Sequence, residues 1–348
     1  AEPLVLVLIE DPQRLVPHAG QLDRPAGATH DRAVVLDLAD DEDLLAAAEP
    51  VQAWPELDER SPMMFCYTSG TTGNPKGVAY TQRSTYLHTV TNTGTLEMTQ
   101  SDNLLPIVPM FHANAWALTF SVPAAGAEMV LPGAGMDGAS IYELLENEKV
   151  TATAAVPTVW LGLLQYLEQT GKKLPHLNRV VVGGAACPPM MIRKFELDYG
   201  VELIHGWGMT EMSPIGTTGK MKHATSSLDR EAQLKLKEKQ GRTPYLVEMK
   251  VVDDDGNELP RDGQSSGHLL VKGPCVAKGY YKLEESALDE DGWFDTGDVA
   301  NIDPDGYLQL GDELFQRFLI TLYRSYQGKR ASFGDLQRVA EEVDAAGR

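Results

Sequence analysis

The stretch YTSGTTGNPKG, residues 67–77, is the densest run of Gly, Ser and Thr in this chain of 348 residues. It matches the phosphate-cradling pattern G-x-x-x-x-G-K-[ST] only in part. Gly70 and Lys76 have the right separation, but Pro75 replaces the second glycine and offers no N–H, and Gly77 brings no hydroxyl for a magnesium ion. A Walker-type NTPase is therefore not expected. What remains is a set of hydroxyls on Thr68, Ser69, Thr71 and Thr72, the permissive Gly70 and Gly73, and the cation of Lys76, an inventory suited to a polyphosphate gripped from several sides. The apolar run PMMFCY just before it reads as a short buried strand. The loop is then expected to leave a strand end, where ligands bind in open α/β sheets.

Working outward, short apolar runs alternate with helix-length segments. LVLVLI, AVVLDL, MMFCYTS, NLLPIV, AEMVLP, TATAAV, RVVVGG and VELIHG read as strands, with helices expected at 137–149, 157–170 and 188–199. This alternation predicts an α/β fold with a largely parallel sheet and flanking helices. From about residue 245 the pattern changes to YLVEMKVVD, GHLLVKG, VANID and YLQL, separated by the turn signals DDDGN and DPDG, which predicts a small antiparallel β subdomain. The division expected is 1–244, 245–310 and a helical tail at 311–348. The tail carries as many basic as acidic side chains, and an apolar stripe from Leu314 to Leu322 predicts a helix in it.

The formal net charge of -20 argues against a nucleic-acid partner, because backbone binding needs clustered cations. An acidic chain that holds a nucleotide must build local positive potential from backbone donors, a lysine and a metal. The longest aliphatic run is too short to span a bilayer, so no transmembrane segment is expected, and with no signal-peptide pattern a cytoplasmic location is. Cys66, Cys187 and Cys275 lie far apart and read as buried thiols.

Three further stretches suit a nucleotide. VVVGGAACP, 180–188, ends a strand in two glycines that let a flat base approach. HGWGMTEMSP, 205–214, puts an aromatic ring, a hydroxyl and a carboxylate close together. WFDTGD, 293–298, ends on an acid able to accept from two ribose hydroxyls. In this order and spacing, YTSGTTGNPKG, GWGMTE and DTGD resemble the adenylate-forming superfamily of acyl-CoA synthetases, luciferases and peptide-synthetase adenylation domains, over about residues 1–310.

The resemblance implies a two-step reaction using ATP, Mg2+ and coenzyme A: a carboxylate attacks the α-phosphate and expels pyrophosphate, then a thiol takes the acyl group. It implies roles residue by residue. Thr68, Ser69, Gly70, Thr71, Thr72, Gly73 and Lys76 would hold the β- and γ-phosphates. Trp207 would stack on adenine beside Gly184 and Ala185, Thr210 would bond the α-phosphate, Glu211 would ligate magnesium and Asp298 would hold the ribose. PMFHANAWALTFSVPAAGAEMVLPG, 109–133, resembles the medium- and long-chain fatty-acyl branch. Phe111, His112, Asn114 and Trp116, with Gly206, would then contact the small-molecule carboxylate, and His112 would sit near the thiol's approach. On composition alone the same stretch reads equally as an ordinary core helix, and an aryl-CoA ligase of the coumarate type stays open as an alternative substrate reading. A homodimer stays open as well.

Family members are expected to begin about a hundred residues or more before this chain opens, and to continue past YLQL into an Asp-Arg hinge and a C-terminal domain carrying a lysine for the α-phosphate. Here Asp312 is followed by Glu313, and QGKR at 327–330 only faintly echoes the lysine motif. Truncation at both ends is the expectation. A working ligase completed elsewhere and a nucleotide- or acyl-binding fragment without turnover both remain open.

Overall fold

The computed structural model describes residues 6–7, 56–68 and 75–311. The run AVVLDL, the loop residues Ser69, Gly70, Thr71, Thr72 and Gly73, and the tail from Asp312 with its expected helices lie outside the described residues.

Strands β1 (Leu6–Val7), β2 (Pro62–Tyr67) and β3 (Gly77–Thr81) form a small sheet in which β1 runs parallel to β2 and β2 antiparallel to β3. The glycine-rich loop leaves a strand end, that of β2, as expected, but β2 belongs to this small sheet. The loop does not leave a strand of the large parallel sheet; it closes a hairpin between β2 and β3, tied at its neck by the Thr68 N–H donating to the Lys76 carbonyl at 2.9 Å. Helix α1 (Gln82–Thr95) begins only after β3, so the glycine-rich loop does not run directly into a helix.

The patterning did not announce α1. It is rich in threonine, which loses side-chain freedom in a helix, and Thr91 and Thr93 donate back to the carbonyls of Leu87 and Thr89. A capping box at Thr81 and Ser84 starts the helix, and burial of His88 and Asn92 holds it against the sheet.

Six strands form the central sheet: β4 (Asn103–Pro106), β5 (Glu128–Met129), β6 (Ala152–Ala155), β7 (Arg179–Val182), β8 (Glu202–Gly208) and β9 (Ile215–Thr218), in the spatial order β5-β4-β6-β7-β8-β9. All pairs are parallel except β8 with β9. Every residue of β6 is buried, as a parallel strand covered on both faces requires.

One face is covered by helix α3 (Gly138–Asn147) and helix α4 (Pro157–Thr170), close to the spans expected. Asp137 caps α3 by accepting from the N–H groups of Ala139 and Ser140, and Pro157 opens α4 where its missing N–H costs nothing. Trp160, Leu163, Leu164 and Leu167 recur at helical spacing and pack with Ile141, Val180, Val182 and Phe195. The third expected helix is α5 (Pro189–Arg193), continued by a π-helical turn at Lys194–Asp198. The other face is covered by helix α2 (Leu118–Ala124) together with α1, through Leu96, Leu104, Leu118, Val122, Ala154 and Ile204. Helix α6 (Arg230–Lys237) follows β9; its buried Lys237 pairs with Glu196 at 2.6 Å.

The antiparallel subdomain is a meander of β10 (Glu248–Val252), β11 (Gly267–Lys272), β12 (Phe294–Ile302) and β13 (Leu308–Leu310). The strand expected at VANID begins earlier, at Phe294, so DTGD lies inside β12 and not in a turn. The register with β11 shifts between His268 and Leu270, and Gly297 in this irregularity takes a left-handed φ of 74°. A bulge of this kind re-aims a side chain, here Asp298. Trp207, Met209 and Met212 pack into the core beneath this sheet and join it to the parallel one. Cys66, Cys187 and Cys275 are buried and free, and among the described residues no helix is long and apolar enough to cross a membrane.

Candidate active site

A cavity of ≈ 950 Å³ opens where the hairpin, the C-terminal ends of β7 and β8, and the bulge of β12 converge. It is lined by Thr68, Lys76, His112, Trp116, Gly184, Ala185, Gly206, Trp207, Thr210, Glu211 and Asp298, so the structure brings together most of the residues singled out from the sequence.

Beyond β8 the chain turns through a short 3-10 helix, Thr210–Met212, which buries both Thr210 and Glu211. The Tyr80 hydroxyl, from β3, donates to the Thr210 carbonyl at 2.6 Å and anchors this turn to the hairpin. The Trp207 indole lies across Gly216 of β9, where a Cβ would overlap the ring, so the absent side chain is what lets the indole lie there. Its Nε1 donates to Asp298 Oδ2 at 3.1 Å. One oxygen of Asp298 is thus already engaged, and burial raises its carboxyl above the usual carboxylate range.

Glu211 accepts a hydrogen bond on Oε1 from the Tyr280 hydroxyl at 2.8 Å, and the Lys76 ammonium sits 4.6 Å from the centre of the Tyr280 ring. Tyr280 and Tyr80 escape the sequence reading: each belongs to no motif singled out above, and its role depends on a partner more than sixty residues away. Among the described residues Glu211 has no cation partner, although it is only 6% exposed. A buried carboxylate with only a neutral phenol beside it is the donor chemistry that suits a hard divalent cation. Lys76 is the one lysine or arginine among the described lining residues, against Glu211, Asp295 and Asp298. A polyphosphate entering such a cavity needs further positive charge, which a divalent cation supplies.

The acyl side departs from expectation. Residues 113–117 all have positive φ, between 45° and 60°, so Ala113–Trp116 is a left-handed turn and not the start of an ordinary helix. The reversal buries Asn114, Ala115 and Ala117, with Asn114 turned toward Cys66 of β2, while Phe111 and Met110 stay exposed. Phe111 and Asn114 therefore do not line the cavity. His112, Ala113, Trp116 and Leu118 do, with Leu96, Ala154, Val181 and Ile204 forming an apolar arm. The Trp116 ring lies beside the glycines that end β7, 3.2 Å and 3.5 Å from where a Cβ would sit on Gly183 and Gly184.

Comparisons with known proteins show the family. A family model described as "AMP-binding enzyme" matches residues 3–281. The 3-methylmercaptopropionyl-CoA ligase of Ruegeria pomeroyi is 50% identical over 261 residues, covering 74% of this chain and 48% of that protein. The medium-chain-fatty-acid–CoA ligase of Ectopseudomonas oleovorans is 48% identical over 273 residues, 78% of this chain and 50% of that protein. The chain spans about half the length of the curated relatives it matches. The inhibitor-bound N-terminal domain of FACL13 from Mycobacterium tuberculosis superposes with a TM-score of 0.68 at 27% identity, covering 78% of this chain and 65% of that one. With the family match extending over most of the chain and through the hairpin, the Trp207–Glu211 turn and Tyr280, the chain belongs to the AMP-binding enzyme family.

Proposed function

We propose that this chain is the nucleotide- and acyl-binding part of an AMP-forming acyl-CoA ligase whose substrate is an aliphatic carboxylate of medium or long chain. The observation that supports it is one cavity whose lining combines Lys76, Thr210 and Glu211 with the apolar Leu96, Leu118, Ala154, Val181 and Ile204. On this reading residues 1–244 carry most of the nucleotide and acyl contacts and 245–310 contribute Asp298.

The substrate carboxylate oxygen attacks the α-phosphorus of ATP, forming the acyl-phosphate bond as the bond to the leaving pyrophosphate breaks. Lys76 and the hydroxyl of Thr68 face the leaving phosphates and stabilise their growing charge. The Thr210 hydroxyl donates to an α-phosphate oxygen. Glu211 would hold Mg2+, which would supply positive charge to the polyphosphate. Trp207 offers its face to adenine, and the free oxygen of Asp298 accepts from ribose. Coenzyme A then takes the acyl group as its thiol displaces AMP, with His112 near the approach. ATP and coenzyme A as substrates go with a cytoplasmic location, and size-exclusion chromatography tests the homodimer.

A shorter aliphatic acid is a second reading, favoured by the Ruegeria relative named for a short thioether acid. ATP–pyrophosphate exchange by the 348-residue chain, run with acids from propionate to laurate, tests both. Exchange stimulated by aliphatic acids is expected; magnesium-dependent ATP binding without exchange would leave only a binding fragment. Stimulation by cinnamate above every aliphatic acid would replace the substrate class with an aryl one.

A further inference from the structure

Tyr280 stands between the phosphate-side hairpin and the buried carboxylate, in a segment that crosses back from β11 toward β2 and β3. Residues 277–281 are fastened at both ends. The Ala277 N–H donates to the Glu211 carbonyl at 2.7 Å, and the Tyr281 N–H donates to the Gly77 carbonyl at 2.8 Å. The Tyr281 ring packs on Phe65 of β2 with centroids 4.7 Å apart. Between these anchors, Tyr280 presents its hydroxyl to Glu211 Oε1 at 2.8 Å and its ring to the Lys76 ammonium at 4.6 Å. One side chain thus touches both the lysine and the cation-free carboxylate of the cavity.

We infer that Tyr280 is a positioning residue that orients Glu211 for a divalent cation and Lys76 for the polyphosphate, so that metal and phosphates bind as one unit. The inference rests on the nucleotide reading above. The two contacts are chemically separable. The hydroxyl holds Glu211 Oε1 and leaves Oε2 available in a fixed direction, which lowers the rotational freedom lost when a cation binds. The ring restrains a flexible lysine through a cation–π contact.

The test is calorimetric titration of ATP into the full 348-residue chain, first in EDTA and then at stepped magnesium concentrations. Wild type is compared with Tyr280→Phe, which keeps the ring and loses the hydroxyl, and Tyr280→Leu, which loses both. Tyr280→Phe is expected to keep metal-free ATP affinity within about twofold while raising the magnesium concentration for half-maximal tightening about tenfold, the low end for a hydrogen bond to a charged group. Tyr280→Leu is expected to lose, in addition, about two- to fivefold in metal-free affinity, as a partly exposed cation–π contact implies.

A purely structural tyrosine would instead lower the melting temperature and both affinities together with no change in the magnesium midpoint, and that result overturns the inference. If wild type tightens with magnesium and Tyr280→Phe has the same midpoint, the inference fails while the nucleotide reading stands. If wild-type affinity ignores magnesium altogether, the nucleotide reading fails and takes the inference with it. Should Tyr280→Leu not fold, the Tyr280→Phe arm decides alone.

Discussion

The parallel sheet and the antiparallel sheet meet at the cavity and contribute to it differently. In β6 every side chain is buried, and the strands around it are locked between helices on both faces. Such strands have no free face; inside them they give the cavity the apolar Ala154, Val181 and Ile204, and their polar contribution comes at and beyond the C-terminal end of β8, through Trp207, Thr210 and Glu211. In β12 buried and exposed positions alternate, and the strand supplies Asp298 from its middle by means of a bulge. The doubly covered sheet acts as a scaffold that delivers chemistry at its edge, whereas the half-covered sheet has side chains to spare along its length.

Acid should break this contrast most strongly. His205 in β8 and His88, which accepts from the Ile215 N–H of β9, are both buried, and burial lowers each to about 4. In the antiparallel sheet His268 is exposed beside Asp254 at 3.2 Å. A histidine with a depressed folded value binds its proton more tightly when unfolded, so stability is lost as pH falls from the ordinary value near 6.5 toward 4. Each buried histidine should remove on the order of 3 kcal/mol over that window. Urea unfolding at pH 7 and pH 4.5 checks this, and His88→Gln should flatten the pH dependence by about half. A stability that is constant between these pH values would mean the scaffold is not sealed at β8 and β9.

Next in size is Lys76→Ala, which removes the ammonium proposed to face the leaving phosphates. ATP affinity in magnesium should fall about tenfold to a hundredfold, or about 1.5–3 kcal/mol, with little change in melting temperature because the hairpin neck is exposed at Lys76. Equal calorimetric affinities for the two proteins would remove the phosphate role.

Asp298→Asn separates binding from stability. The amide oxygen still accepts from Trp207 Nε1, but the buried charge is gone. Because burial raises the folded carboxyl, the folded chain binds that proton more tightly than the unfolded one, so this group's contribution to stability falls as pH rises from the ordinary carboxylate range to the raised value and stays low above it. The variant should therefore be at least as stable as wild type at pH 7 while losing about tenfold in ATP affinity. A destabilised variant would show that the charge itself holds the two sheets together.

The smallest step is on the acyl side. Each methylene added to an alkyl acyl-AMP analogue should tighten binding by about 0.8 kcal/mol, roughly fourfold, until the apolar arm is full. A series that does not tighten beyond propionyl would favour the short-acid reading.

The site was legible where neighbours in the chain are also neighbours in space. Trp207, Thr210 and Glu211 lie within one turn at the end of β8, so their spacing in sequence is nearly their spacing in the cavity. On the acyl side, Phe111 and Asn114 do not appear in the cavity lining, and a run of positive φ at Ala, Asn and Trp replaces the ordinary helix that composition equally allowed. These residue types do not mark a left-handed turn in advance as glycine does.

By itself the sequence determined the α/β class, the change to an antiparallel sheet near residue 245 and most of the polar residues that line the cavity. Burial periodicity and turn chemistry are local, and they survive whatever the chain does at long range. The tertiary structure alone decided that the glycine-rich loop closes a hairpin and that DTGD sits on a bulged strand. It alone decided that Tyr280, about two hundred residues after Lys76 in the chain, links that lysine to Glu211. Strand partners and side chains that meet across sheets depend on which surfaces bury each other, and that free energy belongs to pairs of distant segments and is written in neither segment alone.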